Sequence, residues 1–418
     1  MNIEIVTIGD ELLLGLTIDT NAAWLARELA ADGVSIVRRA SVGDDAGAIG
    51  SAVGDALARS GAVITTGGLG PTADDMTKPS IAALFGREMV FDADRWEALK
   101  QLWRTRGRPG DLPESNRQQV MIPVGARVLT NRHGTAPGIL LEDERGRWVA
   151  MLPGVPREMR GLFHDELRPL ISARLTGERR VVRTHTVRTT GVAESQLPEL
   201  LGETARGVDG MSLAYLPGQD GVDLRLTVRG AGAEEADARL RKGAANIRQR
   251  VEKYVYAEGA VDMAAVVLER CRIGGLKIAV AESCTGGMLG SRLTAVPGSS
   301  DVFLGGIIAY DNAVKQEQLG VRDEMLRAVG AVSDEVARDM AVGVRARFHS
   351  AIGVGITGVA GPTGGTEEKP VGLVYIAVDI RGDVTSFGGR LIGDRAEVRF
   401  RATQLALEMI RRALLASD

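Results

Sequence analysis

The chain has 418 residues, a formal net charge of −3 and 44% hydrophobic residues. That balance describes a soluble globular protein of two or three domains and argues against a basic nucleic-acid-binding arm. Two cysteines, Cys271 and Cys284, are too few for a disulfide framework or a cysteine-built zinc site. No apolar run nears the roughly 20 residues that span a bilayer, and the first residues carry no secretory signal pattern, so the expectation is a cytoplasmic protein without membrane contact.

The first segment alternates strand and helix signals. Ile3–Ile8 is a short apolar run, Asn21–Ala31 has helical spacing, and Val34–Val42 reads as a second strand. Ile49–Ala58 is helical, and Ala62–Thr66 is a third strand that feeds Gly67-Gly68. This rhythm predicts a parallel sheet with helices on both faces. Trp148–Leu152 adds a strand, and a helix runs from Pro153-Gly-Val-Pro156 to about Leu175. Beyond Thr176 the pattern changes to Val181–Thr190, Met211–Leu216 and Val222–Gly230 as strands, with helices over Glu194–Leu201 and Glu234–Val251. That mixture predicts a small α+β middle domain with no catalytic constellation, acting as a spacer or dimerisation element. From Val261 the α/β rhythm returns. Strands are expected at Lys277–Ala281, Gly305–Tyr310, Ala351–Ile356, Val371–Ile380 and Thr385–Leu391, and helices at Ser333–Phe348 and Arg395–Leu415. The expected domains are 1–175, 176–258 and 259–418.

In the last domain, Ala279-Val-Ala-Glu-Ser-Cys-Thr-Gly-Gly287 reads as a buried strand running into a glycine-opened helix. Ser283 at that junction is either a helix cap or a nucleophile with free backbone N–H groups beside it. Three more segments belong at strand ends of the same sheet: Tyr310-Asp-Asn-Ala-Val-Lys315, the glycine-rich Gly355-Ile-Thr-Gly-Val-Ala-Gly361, and Lys369-Pro-Val-Gly372. Strand C-termini are where a doubly wound sheet places its ligand crevice. His349, the one histidine of this domain, ends a helix beside Phe348, which argues against a Ser–His–Asp triad. The flanking glycines of a nucleophile elbow are missing, and Gly286 stands where a Ser-x-x-Lys lysine would be. Lys315 is the remaining base, usable near neutral pH if desolvation lowers its pKa. Tyr310 could orient it. Taken singly, Lys315 reads as a solvated helix lysine and Cys284 as a buried small hydrophobe.

Glu282-Ser-Cys-Thr-Gly-Gly287, Tyr310-x-Asn-x-x-Lys315, Gly355-Ile-Thr-Gly-x-Ala-Gly-Pro362 and Lys369-Pro-Val-Gly372 together resemble the C-terminal domain of the CinA (competence/damage-inducible) family. The resemblance implies an α/β amidohydrolase domain that converts nicotinamide mononucleotide to nicotinic acid mononucleotide and ammonia without a cofactor. It makes Ser283 the nucleophile, Lys315 its base and Tyr310 an assistant. It assigns substrate binding to Thr285, Gly286, Gly287, Thr357, Gly358, Ala360 and Gly361, with Arg395 and Arg399 as phosphate partners.

The first domain carries Gly9-Asp-Glu-Leu-Leu-Leu-Gly15 after strand one and Thr65-Thr-Gly-Gly-Leu-Gly-Pro-Thr-Ala-Asp-Asp75 after strand three. Gly67, Gly68 and Gly70 form a phosphate-sized turn. Asp74 and Asp75 are either helix-start charges or, with Asp10 or Glu11, holders of a divalent cation on a pyrophosphate. The spacing fits neither a dinucleotide fingerprint nor a P-loop. With Leu152-Pro-Gly-Val-Pro-Arg-Glu-Met159, these motifs resemble the N-terminal domain of full-length CinA proteins. That likeness implies a MoaB/MogA-like (molybdopterin-binding-like) α/β fold and a divalent-cation-dependent ADP-ribose pyrophosphatase.

The resemblance also implies a homodimer, with the middle domain as contact. Two nucleotides, nicotinamide mononucleotide and ADP-ribose, are the expected partners, with no direct nucleic-acid binding. Two alternatives stay open: an N-terminal domain that binds a nucleotide or pterin without cleaving it, and a scaffold acting through partners.

Overall fold

The computed structural model describes residues 1–107, 109–175 and 180–416. It divides into two compact units, one made of Met1–Arg183 with Val228–Arg239 and the other of Thr184–Thr227 with Leu240 onward. The expected boundary at 175/176 abuts residues outside the described set.

The first unit holds a six-stranded sheet in the order Ser35–Val42, Asn2–Ile8, Ala62–Thr66, Trp148–Leu152, Gly138–Glu142, Arg127–Leu129. The first four strands are parallel and the last two antiparallel. Alternation along the central strand feeds two cores. Ile3 and Ile5 pack with the helix Thr20–Ala31, while Val6 and Ile8 pack with Ala46–Ser60. The two antiparallel strands were not legible in sequence, because one has three residues and the other lacks a period-two pattern. The expected helix to Leu175 is Pro156–Leu162, a π-turn over Phe163–Leu167, then Arg168–Arg174. Pro169 explains the wider turn, since it offers no N–H to a regular helical bond.

A four-stranded sheet runs Ser212–Pro217, Val222–Ala231, Val181–Thr189, Val255–Glu258. A five-stranded sheet follows in the order Phe303–Ile308, Ile278–Glu282, Ile352–Gly358, Leu373–Ile380, Asp383–Arg390. Its first three strands are parallel and its last two antiparallel. Ile278 and Val280 face the helices Met263–Ile273, Met288–Thr294 and Arg395–Leu415, whereas Ala279 and Ala281 face Asp334–Phe348. The helix Asp334–Phe348 lies so close that a Cβ on Gly355 would stand 2.2 Å from the Ala337 carbonyl oxygen. Glycine is therefore required there by approach. Among the described residues, no helix is long and apolar enough to cross a membrane.

Candidate active sites at the strand C-termini

Three strand ends of the five-stranded sheet are tied together. The Ser283 N–H donates to the Ile356 carbonyl at 2.9 Å, and the Ala309 N–H donates to the Glu282 carbonyl at 2.8 Å. Ser283, Tyr310 and Thr357 therefore emerge from one edge of the sheet. Ser283 is buried, and its Oγ makes no hydrogen bond among the described residues. It caps nothing: the helix Met288–Thr294 has Gly287 at its N-cap, in the left-handed region at φ 89°. The capping group is the buried Glu282 carboxylate, which accepts the N–H groups of Gly287 (3.1 Å), Leu289 (3.0 Å) and Gly290 (2.8 Å).

That cap changes which amides are free. The Gly287 N–H is spent on Glu282, and the Gly286 N–H donates to the Ser283 carbonyl at 3.1 Å. Among the described residues, the N–H groups of Cys284 and Thr285 have no carbonyl or carboxylate acceptor. They are the open donors immediately after the serine, where an oxyanion needs them. Gly286 and Gly287, which the resemblance assigns to substrate binding, thus have their N–H groups already used within the turn.

Lys315 lies in the first turn of Asn312–Leu319, a helix capped by Asp311 through the Ala313 N–H at 2.8 Å. Only 1% of Lys315 is exposed, and its Nζ donates to the Tyr310 carbonyl at 3.1 Å. Burial holds its pKa below the ordinary lysine value, against the opposing charge of Asp311. The Cys284 thiol is pushed by burial up to about 12, so it stays protonated at neutral pH.

The two arginines bridge the remaining motifs. Arg399 donates to the Thr285 carbonyl through Nε (3.2 Å) and its terminal nitrogen (2.7 Å). Arg395 donates to the Gly361 carbonyl at 2.6 Å and to the Tyr310 hydroxyl at 3.3 Å. Their i, i+4 spacing on Arg395–Leu415 puts both on one face. Tyr310 is exposed and its hydroxyl meets Arg395, so it does not orient Lys315 through its ring; its backbone carbonyl does that. The Thr357 hydroxyl donates to the Ala331 carbonyl at 2.8 Å. Gly358 ends its strand and Ala360 packs into the core.

In the first unit, a cavity of about 490 Å³ opens beside Gly67, Gly68 and Gly70. Among the described residues, six acids line it (Glu11, Asp19, Asp44, Asp74, Asp75 and Glu158) and no lysine, arginine or histidine does. The Asp75 carboxylate is committed to the glycine turn, accepting the N–H groups of Gly70 (2.7 Å) and Thr72 (2.8 Å). Asp10 and Asp44 form a reciprocal pair, the Asp10 carboxylate accepting the Asp44 N–H at 3.2 Å and the Asp44 carboxylate accepting the Asp10 N–H at 3.0 Å, and of the two only Asp44 lines the cavity among the described residues. Asp44, not singled out in the sequence, takes its place. Burial raises the Asp44 carboxyl, and Asp10, Glu11 and Asp74 push it the same way. Among the described residues, no three His, Cys, Asp or Glu side chains are gathered into a ready metal cluster. The Gly67 N–H is also used, on the Leu152 carbonyl at 3.1 Å, which leaves Gly68 and Leu69 as open donors of the loop among the described residues.

Comparison with known proteins accounts for nearly the whole chain. It is 61% identical over 414 residues to a CinA-like protein of Gemmatimonas aurantiaca, covering 99% of this chain and 96% of that one. The chain belongs to the CinA family. A CinA-like protein of Kosmotoga olearia is 40% identical over 415 residues, 99% of each chain. Family models match at residues 4–173 ("Probable molybdopterin binding domain"), 184–257 ("Damage-inducible protein CinA KH domain") and 260–414 ("CinA C-terminal domain"). The N-terminal domain is thus MoaB/MogA-like and the C-terminal one is the family's own α/β domain. A crystal structure of the competence/damage inducible protein CihA from Agrobacterium tumefaciens is 41% identical, covering 36% of this chain and 93% of that one with a TM-score of 0.36. KH folds clamp nucleic acid with a Gly-x-x-Gly loop. Here the two such runs, 207–210 and 218–221, precede a strand and join a β-hairpin, and Asp220 of the second is tied to Arg188.

Proposed function

We propose that the C-terminal domain hydrolyses the carboxamide of nicotinamide mononucleotide to the carboxylate and ammonia. The observation that carries this reading is an unbonded Ser283 hydroxyl beside two open amides, with a buried lysine at the same strand edge. Neutral Lys315 takes the Ser283 proton as Oγ attacks the carboxamide carbon. The Cys284 and Thr285 N–H groups hold the oxyanion. Collapse breaks the C–N bond, and Lys315 returns the proton to the departing ammonia. Water, deprotonated by the same lysine, then opens the ester and frees Ser283. Arg395 and Arg399 give the nucleotide's phosphate two cationic partners. Ammonia release from nicotinamide mononucleotide tests this. No release by the wild-type protein, or full release by Ser283→Ala, defeats it.

We also propose that the N-terminal cavity cleaves ADP-ribose to AMP and ribose 5-phosphate with a divalent cation. Its acidic lining supports the reading, because a pyrophosphate cannot approach those carboxylates without positive charge between them. Glu11, Asp44 and Asp74 would hold the ion, which would polarise the phosphoryl oxygens. The donors fit a cation that arrives with its nucleotide, as hydrated Mg²⁺ does, better than a resident cage. AMP formation from ADP-ribose with added cations tests cleavage; tight binding without AMP means the domain only binds.

A further inference from the structure

The wall of the N-terminal cavity contains two side-chain amides with oxygens that no protein group satisfies. Asn21 is 9% exposed and Gln119 is 4% exposed, and both line the cavity. The Asn21 amide is fixed in orientation: its Nδ2 donates to the Gly154 carbonyl at 2.7 Å and to Thr66 Oγ1 at 3.2 Å. Its Oδ1 is therefore an acceptor, buried and without a partner. Gln119 Oε1 is likewise buried and without a partner. Leaving such an atom unpaired costs about 1–3 kcal/mol, and native structures rarely do so without a reason.

The backbone that presents Gln119 is built with unusual investment. Lys78 is 1% exposed, and its Nζ donates to the Gln118 carbonyl and, at 3.0 Å, to the Gln119 carbonyl. Gln118 in turn donates its side-chain amide to the Asp75 carbonyl at 3.1 Å. A buried ammonium is thus devoted to fixing this turn against the segment that follows the glycine loop. An element held this way presents its side chain in one place.

We infer that Asn21 and Gln119 form a neutral subsite that reads O–H or N–H donors of the bound nucleotide, apart from its phosphates. The inference rests on the reading of this cavity as a nucleotide site. Acceptor oxygens repel phosphate and match either a ribose hydroxyl or the exocyclic amine of adenine. Gln119 is the specificity-determining residue of the pair, and Lys78 positions it.

The test is calorimetric binding of the α,β-methylene analogue of ADP-ribose to the full chain with Mg²⁺. Two further arms use the same analogue without its adenine amine or without its adenosine 2′-hydroxyl. Gln119→Leu is expected to weaken the parent analogue about tenfold, and to bind one of the two depleted analogues as well as the wild type does. The depleted ligand that escapes the penalty identifies the group being read. Gln119→Asn, which keeps a neutral amide acceptor, is expected to lose less affinity than Gln119→Leu. Asn21→Ala, which removes the second acceptor, serves as the second variant and is expected to weaken the parent analogue several-fold. The inference is overturned by no wild-type binding, by unchanged affinity in Gln119→Leu, or by an equal loss for all three ligands. Binding of the analogue together with failure to cleave ADP-ribose would defeat the pyrophosphatase reading and leave this one standing.

Discussion

The Glu282 carboxylate accepts the Gly287 N–H at 3.1 Å, and this bond settles which amides near Ser283 stay open. Two further bonds from Leu289 and Gly290 complete the cap. Glu282 and Ser283 are neighbours in the chain with separate tasks, one holding the helix end and the other standing unbonded before it. Replacing Glu282 with Gln removes the charge from a buried cap of three donors. It is expected to lower stability by about 1–3 kcal/mol and to reduce kcat for ammonia release more than it raises KM, because the turn carrying the Cys284 and Thr285 N–H groups loosens. Thermal unfolding and steady-state kinetics check both parts.

Ser283→Ala should lower ammonia release from nicotinamide mononucleotide by about a thousandfold or more, as loss of a nucleophile does. Cys284→Ala should stay within a few-fold of wild type, since a thiol pushed up to about 12 offers almost no thiolate at neutral pH. The opposite ranking in a side-by-side rate assay would move the nucleophile to the cysteine.

Lys315 must be neutral to take the Ser283 proton, so activity should rise with pH and level off at a midpoint below the ordinary lysine value of 10.5. The Asp311 charge raises the Lys315 pKa against burial. Removing it as Asp311→Asn lowers that pKa further, and the amide can still cap the helix. The pH–rate midpoint of the variant should therefore move toward acid. A midpoint that stays put or moves toward base counts against Lys315 as the base.

Arg399→Ala should raise KM for nicotinamide mononucleotide about tenfold or more and leave the riboside, which lacks the phosphate, much less affected. An equal loss on both substrates would assign Arg399 only to bracing the Thr285 carbonyl.

Chelation with EDTA should stop AMP formation from ADP-ribose and leave ammonia release unchanged, because only the N-terminal cavity is read as using a cation. Asp44→Asn should raise the cation concentration needed for half-maximal AMP formation. Parallel product assays on one preparation decide it.

The strands that carry Ser283 and Thr357 were legible because Ile278–Glu282 and Ile352–Gly358 are short apolar runs punctuated by glycine. The turn chemistry after them was not. Nothing in Glu-Ser-Cys-Thr-Gly-Gly announces that the glutamate reaches forward to cap the helix, because a carboxylate at a buried strand end has no periodic signature. Thr357 has the residue type of a ligand donor, but its rotamer is decided by the Ala331 carbonyl, 26 positions earlier. Asp10 and Asp44 are joined by two backbone N–H to carboxylate bonds across 34 positions, a pairing that the parallel register of the preceding strands creates. Lys78 and Gln119 were invisible because a lone buried lysine and the short 3₁₀ helix Glu114–Val120 leave no periodic pattern of their own.

The acidic lining of the N-terminal cavity has a consequence for ionic strength. With the divalent cation removed, carboxylates facing an anionic nucleotide repel it, and monovalent salt screens that repulsion over a Debye length of about 10 Å at 0.1 M. Added potassium chloride should then tighten the residual binding at this cavity. At the C-terminal crevice, where Arg395 and Arg399 attract a phosphate, the same salt should loosen it. The two proposed anion sites are thus expected to respond to salt with opposite sign.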